Sequence, residues 1–290
     1  MSCTGIGLHS GKKVTLVLKP AQSNTGVVFV RSDVRDLNPL VPATWDRVVD
    51  TQLCTVIGND DDVTVGTVEH LLAALSGCGI DNVSVVLDGP EVPIMDGSSQ
   101  PFVDLIERAG VIELEAPRRI IRVLKPVSVK IGDSYAELLP AEQPAFDVEI
   151  SFENPVVANQ ALTIGLVNGA FCKELAGART FGFLHEVEQM RAAGFAKGGS
   201  LDNAVVVSND GILNVDGLRF DDEFVRHKML DAVGDLYLAG NHIVGQFKGF
   251  RSGHAVNNAL LRALFAHQDA WMFDVMGSEE AATALDGGVV

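Results

Sequence analysis

Basic residues are scarce. Lysine and arginine number 22 against 38 aspartates and glutamates, a formal net charge of −16. That balance argues against a nucleic-acid groove, which needs clustered cations to neutralise phosphates, and leaves room only for a local basic patch facing a small anion. Cysteine is sparse as well. Cys3, Cys54, Cys78 and Cys172 are far apart with no CxxC pair, so they read as free thiols of a reducing, cytoplasmic compartment and not as a thiolate metal site. No apolar run approaches the roughly 20 residues that span a bilayer, so no transmembrane segment is expected. Met1 to Pro20 lacks the basic start and apolar stretch of a secretion signal. There is no HExxH, no GxSxG and no GxGxxG after a strand, which removes zincin, serine-hydrolase and dinucleotide readings. Gly7-Leu-His9-Ser-Gly11-Lys12 has the wrong spacing for a phosphate loop.

What is present is core material. Of the 290 residues, 47% are apolar and 21% charged, enough for a sizeable core and, at this length, for two domains. Both halves open alike. Lys13 to Leu18 alternates as a half-buried strand, and Gly26 to Arg31 follows as a second strand. In the second half, Val127 to Ile131 and Tyr135 to Leu139 flank the turn pair Gly132-Asp133, and Phe146 to Phe152 alternates again. A helix then follows in each half: Thr67 to Ser76 and Asp222 to Leu238. Strands followed by helices, twice over, predict two similar α+β domains. The charged, proline-broken stretch from Glu113 to Arg119 marks the boundary, giving domains 1–116 and 117–290. The acidic tail from Gly277 has no periodicity and is expected to fray.

The later helix carries unusual polar residues. At about 100° per residue, Val225, Met229, Leu230, Ala232, Val233, Leu236 and Tyr237 share one arc facing a core. His227, Asp231 and Asp235 gather on the other side, with Lys228 beside them. Asp221 and Asp222 stand where an N-cap is wanted. One reading is a solvated face with weak i,i+4 pairs. The other is a metal site, because side chains four apart point the same way and an imidazole plus a carboxylate can share one divalent ion, with Asp235 supporting from one turn further on. In the earlier helix Thr67 is the expected N-cap and His70 the third helical residue. The positive helix end disfavours protonated histidine and favours an ionised Glu69, so His70 suits a metal and Glu69 a general base. They could equally be a dipole-friendly carboxylate and a surface histidine. A glycine before His254 suggests a bend that presents this side chain as a general acid, although a loop histidine is usually nothing more. The loop Gly89 to Gly97 has two carboxylates, read as structural.

In order along the chain, Thr67-Val-Glu-His-Leu-Leu-Ala-Ala-Leu75, Glu91-Val-Pro-Ile-Met-Asp-Gly-Ser98, Ala178-Arg-Thr-Phe-Gly-Phe183, Phe224-Val-Arg-His-Lys-Met-Leu-Asp-Ala-Val-Gly-Asp235 and Ser252-Gly-His-Ala-Val-Asn-Asn258 closely resemble the UDP-3-O-acyl-N-acetylglucosamine deacetylases. The resemblance runs from Gly5 to about Trp271. It implies two similar domains with helices packed between the sheets, and zinc-dependent hydrolysis of the substrate's acetamide to amine and acetate, the committed step of lipid A biosynthesis. It places the metal ligands on His70, His227 and Asp231, with iron(II) an alternative to zinc for such a set. Glu69 becomes the base, His254 the acid, Asp235 the residue that orients His254, and Thr180 a donor to the oxyanion. Lys228 and Arg251 would meet the nucleotide diphosphate. An insert around 181–200, including Phe181, Phe183, Leu184, Val187, Met190 and Gly199, would line a passage for the acyl chain, though such a stretch could also be ordinary core. The acylated UDP-amino-sugar is the one partner implied, and nothing demands more than a monomer. Members of the family usually carry a strand-length segment ahead of Thr4-Gly-Ile-Gly-Leu-His9; this sequence starts almost on that motif, which leaves truncation or a misassigned start, and the first domain's edge pairing, open.

Overall fold

Apolar alternation builds the first sheet. Val14 and Leu16 on Lys13–Pro20 are fully buried while Thr15 and Val17 are only half-buried, and Val85 and Leu87 on Val83–Leu87 face the same core. The computed structural model describes residues 1–276; the tail expected to fray lies outside them. Five strands pair in the order Ser2–Ile6, Lys13–Pro20, Val83–Leu87, Val27–Arg31 and Leu40–Pro42. Only the contact between Val83–Leu87 and Val27–Arg31 is parallel. Ser2–Ile6 is a paired edge strand, which answers the question left open about that edge.

The second sheet repeats this plan. Its order is Val127–Ile131, Ser134–Leu139, Gln246–Phe250, Ala145–Ser151 and Asn159–Gly165, again with one parallel contact, between Gln246–Phe250 and Ala145–Ser151. The expected hairpin forms, with Gly132 at φ 59° in the turn, a conformation that costs glycine nothing. In both sheets the last strand of the chain segment is inserted between the second and third. That identity of order and direction is a duplication which residue identity barely hints at.

The helices follow the same symmetry. Helices α1 (Glu69–Gly77) and α2 (Gln100–Ala109) flank the inserted strand of the first sheet in sequence. After α3 (Leu184–Ala192), helices α4 (Glu223–Tyr237) and α5 (His254–Ala266) flank the inserted strand of the second. Helix α1 packs on α4 and α2, and α4 packs on α5 and on Ala145–Ser151. One continuous core joins both halves. No helix among the described residues is long and apolar enough to cross a membrane.

Helix α4 decides between the two readings of its polar side. Its apolar arc faces the core, but its polar side is not solvated: His227 is 1%, Asp231 3% and Asp235 1% exposed. Only Arg226 and Lys228 fall outside its buried set. The reason is that α1 covers that side. Asp222 is the N-cap residue, yet its carboxylate accepts from Arg226 and caps nothing.

Candidate metal centre and active site

The crossing of α1 over α4 sets the site. A Cβ built on Gly234 would lie 2.0 Å from the backbone oxygen of Glu69, so only glycine lets the helices approach this closely. Glu69 and His70 are thereby delivered onto the turn of α4 that carries Asp231 and Asp235. The start of α1 is not built as its sequence suggested. Thr67 adopts φ 56° and Val68 is the N-cap residue, which makes His70 the second helical residue. The Thr67 hydroxyl donates to Glu91 Oε1 at 2.9 Å. Glu91 also accepts the backbone N–H groups of His9 and Ser10, and Asp96 pairs with Arg219 at 2.9 Å. Both carboxylates of the Gly89–Gly97 loop are thus structural, as expected.

His70, His227 and Asp231 converge, with one ligand atom of each lying within 4.8 Å of the others. Asp231 Oδ1 is 3.5 Å from His70 Nε2 and 3.3 Å from His227 Nε2, and the two imidazoles stand perpendicular with centroids 4.9 Å apart. His227 Nδ1 lies 3.0 Å from the carbonyl of Ala178. That contact makes Nδ1 the protonated nitrogen and leaves the Nε2 lone pair facing inward. Burial holds the His227 pKa down, against the pull of Asp231. Burial would raise the Asp231 pKa, but His227 and Lys228 take it well below the usual carboxylate range. The ammonium of Lys228 sits 2.8 Å from Asp231 Oδ2.

A second cluster adjoins the first. His254 is the first residue of α5, not a loop residue, and Gly253 before it is extended; the left-handed residue is Arg251, at φ 49°. His254 Nδ1 donates to Asp235 Oδ2 at 2.8 Å, and its Nε2 is 3.8 Å from Glu69 Oε1. Asp235 also accepts from Thr55 Oγ at 2.6 Å and Asn257 Nδ2 at 2.9 Å. Glu69 Oε2 accepts the Thr55 N–H at 3.1 Å, which leaves Oε1 for other chemistry. Burial, aided by Asp235 and Asp231 and opposed by His254, pushes the Glu69 pKa up to about 7. Burial opposes charge on His254, but Asp235 and Glu69 outweigh it and lift this imidazole to about 10. A carboxyl raised and an imidazole raised, in contact, form a base and acid pair suited to neutral pH.

The remaining expected residues lie on several other segments, and of these Phe181 and Lys228 touch this centre. Thr180 is half-buried two residues beyond Ala178, its backbone tied to Gly97 and Val205. Phe181 has its ring 6.4 Å from that of His227, and Lys228 Nζ lies 5.7 Å over it. Strand Phe181–Phe183 pairs in parallel with Val205–Val207, and Phe183 is buried. Helix α3 buries none of its residues: Leu184 is exposed, Val187 and Met190 half-buried. It is therefore not ordinary core. Near Gly199, Gly198 donates to the Leu8 carbonyl at 3.0 Å, so this segment is seated on the first half of the chain. Arg251 is exposed, and the structure gives its guanidinium no partner among the described residues. A cleft of about 210 Å³, lined by His9, Ser10, Cys54, Thr67, Glu91 and Phe195 among others, opens beside the start of α1.

Comparison with known proteins identifies a family. The family model of UDP-3-O-acyl N-acetylglycosamine deacetylase, LpxC, matches residues 1–266. The chain belongs to the LpxC family. A UDP-3-O-acyl-N-acetylglucosamine deacetylase of Idiomarina loihiensis is 53% identical over 98% of this chain and 93% of its own length. One of Acidithiobacillus ferrooxidans is 54% identical over 93% and 89%, and one of Photobacterium profundum 49% over 96% and 91%.

LpxC proteins are metalloenzymes, and the residues fit a cation. Asp231 Oδ1 is buried without a hydrogen-bond donor, although two histidine nitrogens face it. Lone pairs meeting in a dry site repel unless a positive charge sits among them, and two nitrogens plus one oxygen suit a divalent metal with an open position. Sequence reasoning missed Thr55, Asn257, Gly234 and the Ala178 carbonyl. Gly234 had a signal, since an isolated glycine inside a helical pattern marks close approach. Asn257 stands within a recognised motif without an evident role. The Ala178 carbonyl left no trace, because a backbone group carries no side-chain pattern, and Thr55 left none because it lies in no motif and meets Asp235 from 180 residues away.

Proposed function

We propose that this chain hydrolyses the acetamide of a UDP-3-O-(3-hydroxyacyl)-N-acetylglucosamine, releasing acetate and the free amine, and so serves lipid A biosynthesis. The observation that carries this reading is the base and acid pair of Glu69 and His254 set against the His70, His227 and Asp231 cluster, in a chain of the LpxC family. A non-catalytic binder needs no such pair. The proposed division is 1–116 and 117–290, with the site between them and the working protein a cytoplasmic monomer.

His70, His227 and Asp231 would hold Zn2+, or Fe2+ in the cell. When bound, such an ion supplies Lewis acidity to a carbonyl and lowers the pKa of water to about 7. Glu69 Oε1 takes a proton from the attacking water, its partner oxygen being held by Thr55. Thr180 donates its hydroxyl to the oxygen on which negative charge develops. His254 gives the proton on Nε2 to the departing sugar nitrogen, without which an amide is a poor leaving system. Asp235 fixes the other ring nitrogen and keeps the imidazole charged. Lys228, a quarter exposed, and Arg251 neutralise the diphosphate. Phe181, Phe183, Leu184, Val187, Met190 and Gly199 shelter the acyl chain.

The test is acetate release from acylated and unacylated UDP-N-acetylglucosamine, with metal content measured on the same sample. Turnover confined to the acylated sugar is expected. Equal turnover of both would point to a broader amidohydrolase, and none with a full complement of metal to a binder.

A further inference from the structure

Two of the four thiols meet at the end of α1 remote from Glu69. Cys78 is its C-cap residue, and Cys172 lies in a π-helical turn, Phe171–Leu175, of the second half. Nine residues of helix rise by roughly 13 Å, so this contact stands clear of the metal cluster. It is built by a glycine: a Cβ on Gly77 would lie 2.0 Å from the Phe171 ring. The last turn of α1 is therefore seated on that ring, and the next residue of each segment carries a thiol. The two thiols lie near enough to perturb each other's ionisation, and each is only partly buried. Cys3 and Cys54 have no such contact with another thiol among the described residues.

We propose that Cys78 and Cys172 are a redox modification site, a reversible disulfide that staples α1 of the first half to the Phe171–Leu175 turn of the second. The neighbouring Cys78 lowers the Cys172 pKa, with burial and Glu107 of α2 opposing and Lys173 helping. The same contact, then burial, pushes Cys78 up. Cys172 is accordingly the attacking thiolate. With glutathione disulfide as oxidant, Cys172 loses its proton and attacks one oxidant sulfur, forming a mixed disulfide and expelling one glutathione thiolate, which takes up that proton. Cys78 then loses its proton and attacks the Cys172 sulfur, expelling the second glutathione. Two protein thiols are oxidised and one oxidant disulfide is reduced to two thiols. The seating of Gly77 on the Phe171 ring holds the two segments together, so that the thiols next to them can approach bonding geometry. Burial pushes up both Cys3 and Cys54, so neither competes as a nucleophile.

The metal-loaded full chain is equilibrated with graded ratios of oxidised to reduced glutathione, quenched by alkylation in denaturant, and mapped by mass spectrometry. The expected result is a linked Cys78 and Cys172 peptide pair with Cys3 and Cys54 still alkylated, and four alkylated thiols after dithiothreitol. Cys78→Ser should stop at a glutathione adduct on Cys172, whereas Cys172→Ser should form no internal link. The oxidised wild type should melt at a higher temperature than the reduced, because the bond closes a long loop, and Cys78→Ser should show no such shift. Free Cys78 and Cys172 at ratios that already modify Cys3 or Cys54, or a link that omits either partner, would overturn the assignment.

Discussion

Gly234→Ala is the sharpest single test of how the site is assembled. The substitution adds one methyl group where α1 crosses α4, at 2.0 Å from the Glu69 backbone oxygen. That is about 1.4 Å short of ordinary contact, and the neighbour is backbone, which cannot swing aside. The helices must part by about that distance, carrying Glu69 and His70 away from His227, Asp231 and Asp235. Alanine gains about 1 kcal/mol of helix propensity over glycine, while overpacking costs about 1–3 kcal/mol, so the fold survives with a modest loss. The chemistry fares worse, since about 1 Å of misplacement can cost ~10²-fold in rate, and the metal loses ideal ligand geometry as well. Steady-state kinetics on the acylated UDP-sugar, elemental analysis and thermal unfolding would be measured together. A folded protein with turnover and metal affinity each reduced about tenfold or more is expected. Wild-type values in all three measurements would show that the close crossing does not position the site.

Other outcomes follow from the same geometry. Glu69→Ala should lose about 10²- to 10⁴-fold in turnover and keep its metal, whereas His227→Ala or Asp231→Ala should lose metal outright by elemental analysis. Activity should rise with pH as Glu69 deprotonates and fall as His254, raised to about 10, gives up its proton; Asp235→Asn should move that alkaline limb down by about 1–3 units, and an unmoved limb would deny His254 the acid role. His242 offers a stability test away from the site. Its Nε2 is buried without a hydrogen bond, and burial, against Asp81, lowers its pKa to about 4. The folded state thus binds this proton more weakly than the unfolded chain. Stability should fall by about 1.4 kcal/mol per unit as pH drops below the unfolded value near 6.5, levelling once the folded pKa is passed. Urea midpoints between pH 7 and 4 should lose part of that slope in His242→Gln, and an unchanged slope would refute it.

Much of this molecule is local and therefore readable along the chain. Alternation located Lys13–Pro20, the Gly132 hairpin and the strand at Ala145–Ser151 to within two residues, because half-buried strands repeat every second residue and a positive φ favours glycine. The i,i+4 spacing of His227 and Asp231 already put them on one side of one helix. The motif order along the chain was sufficient to place it in a family. What no pattern contained was the environment of those side chains. A solvated stripe and a buried metal site have the same sequence on α4, and only the arrival of α1 at Gly234 turns one into the other. Thr67 looked like a cap until Glu91, brought from a separate loop, took its hydroxyl. The shifted pKa values of Glu69 and His254, and the meeting of Cys78 with Cys172, likewise arise from groups distant in sequence and close in space. Periodicity records which way a residue faces; desolvation and charge depend on what the rest of the chain packs against it.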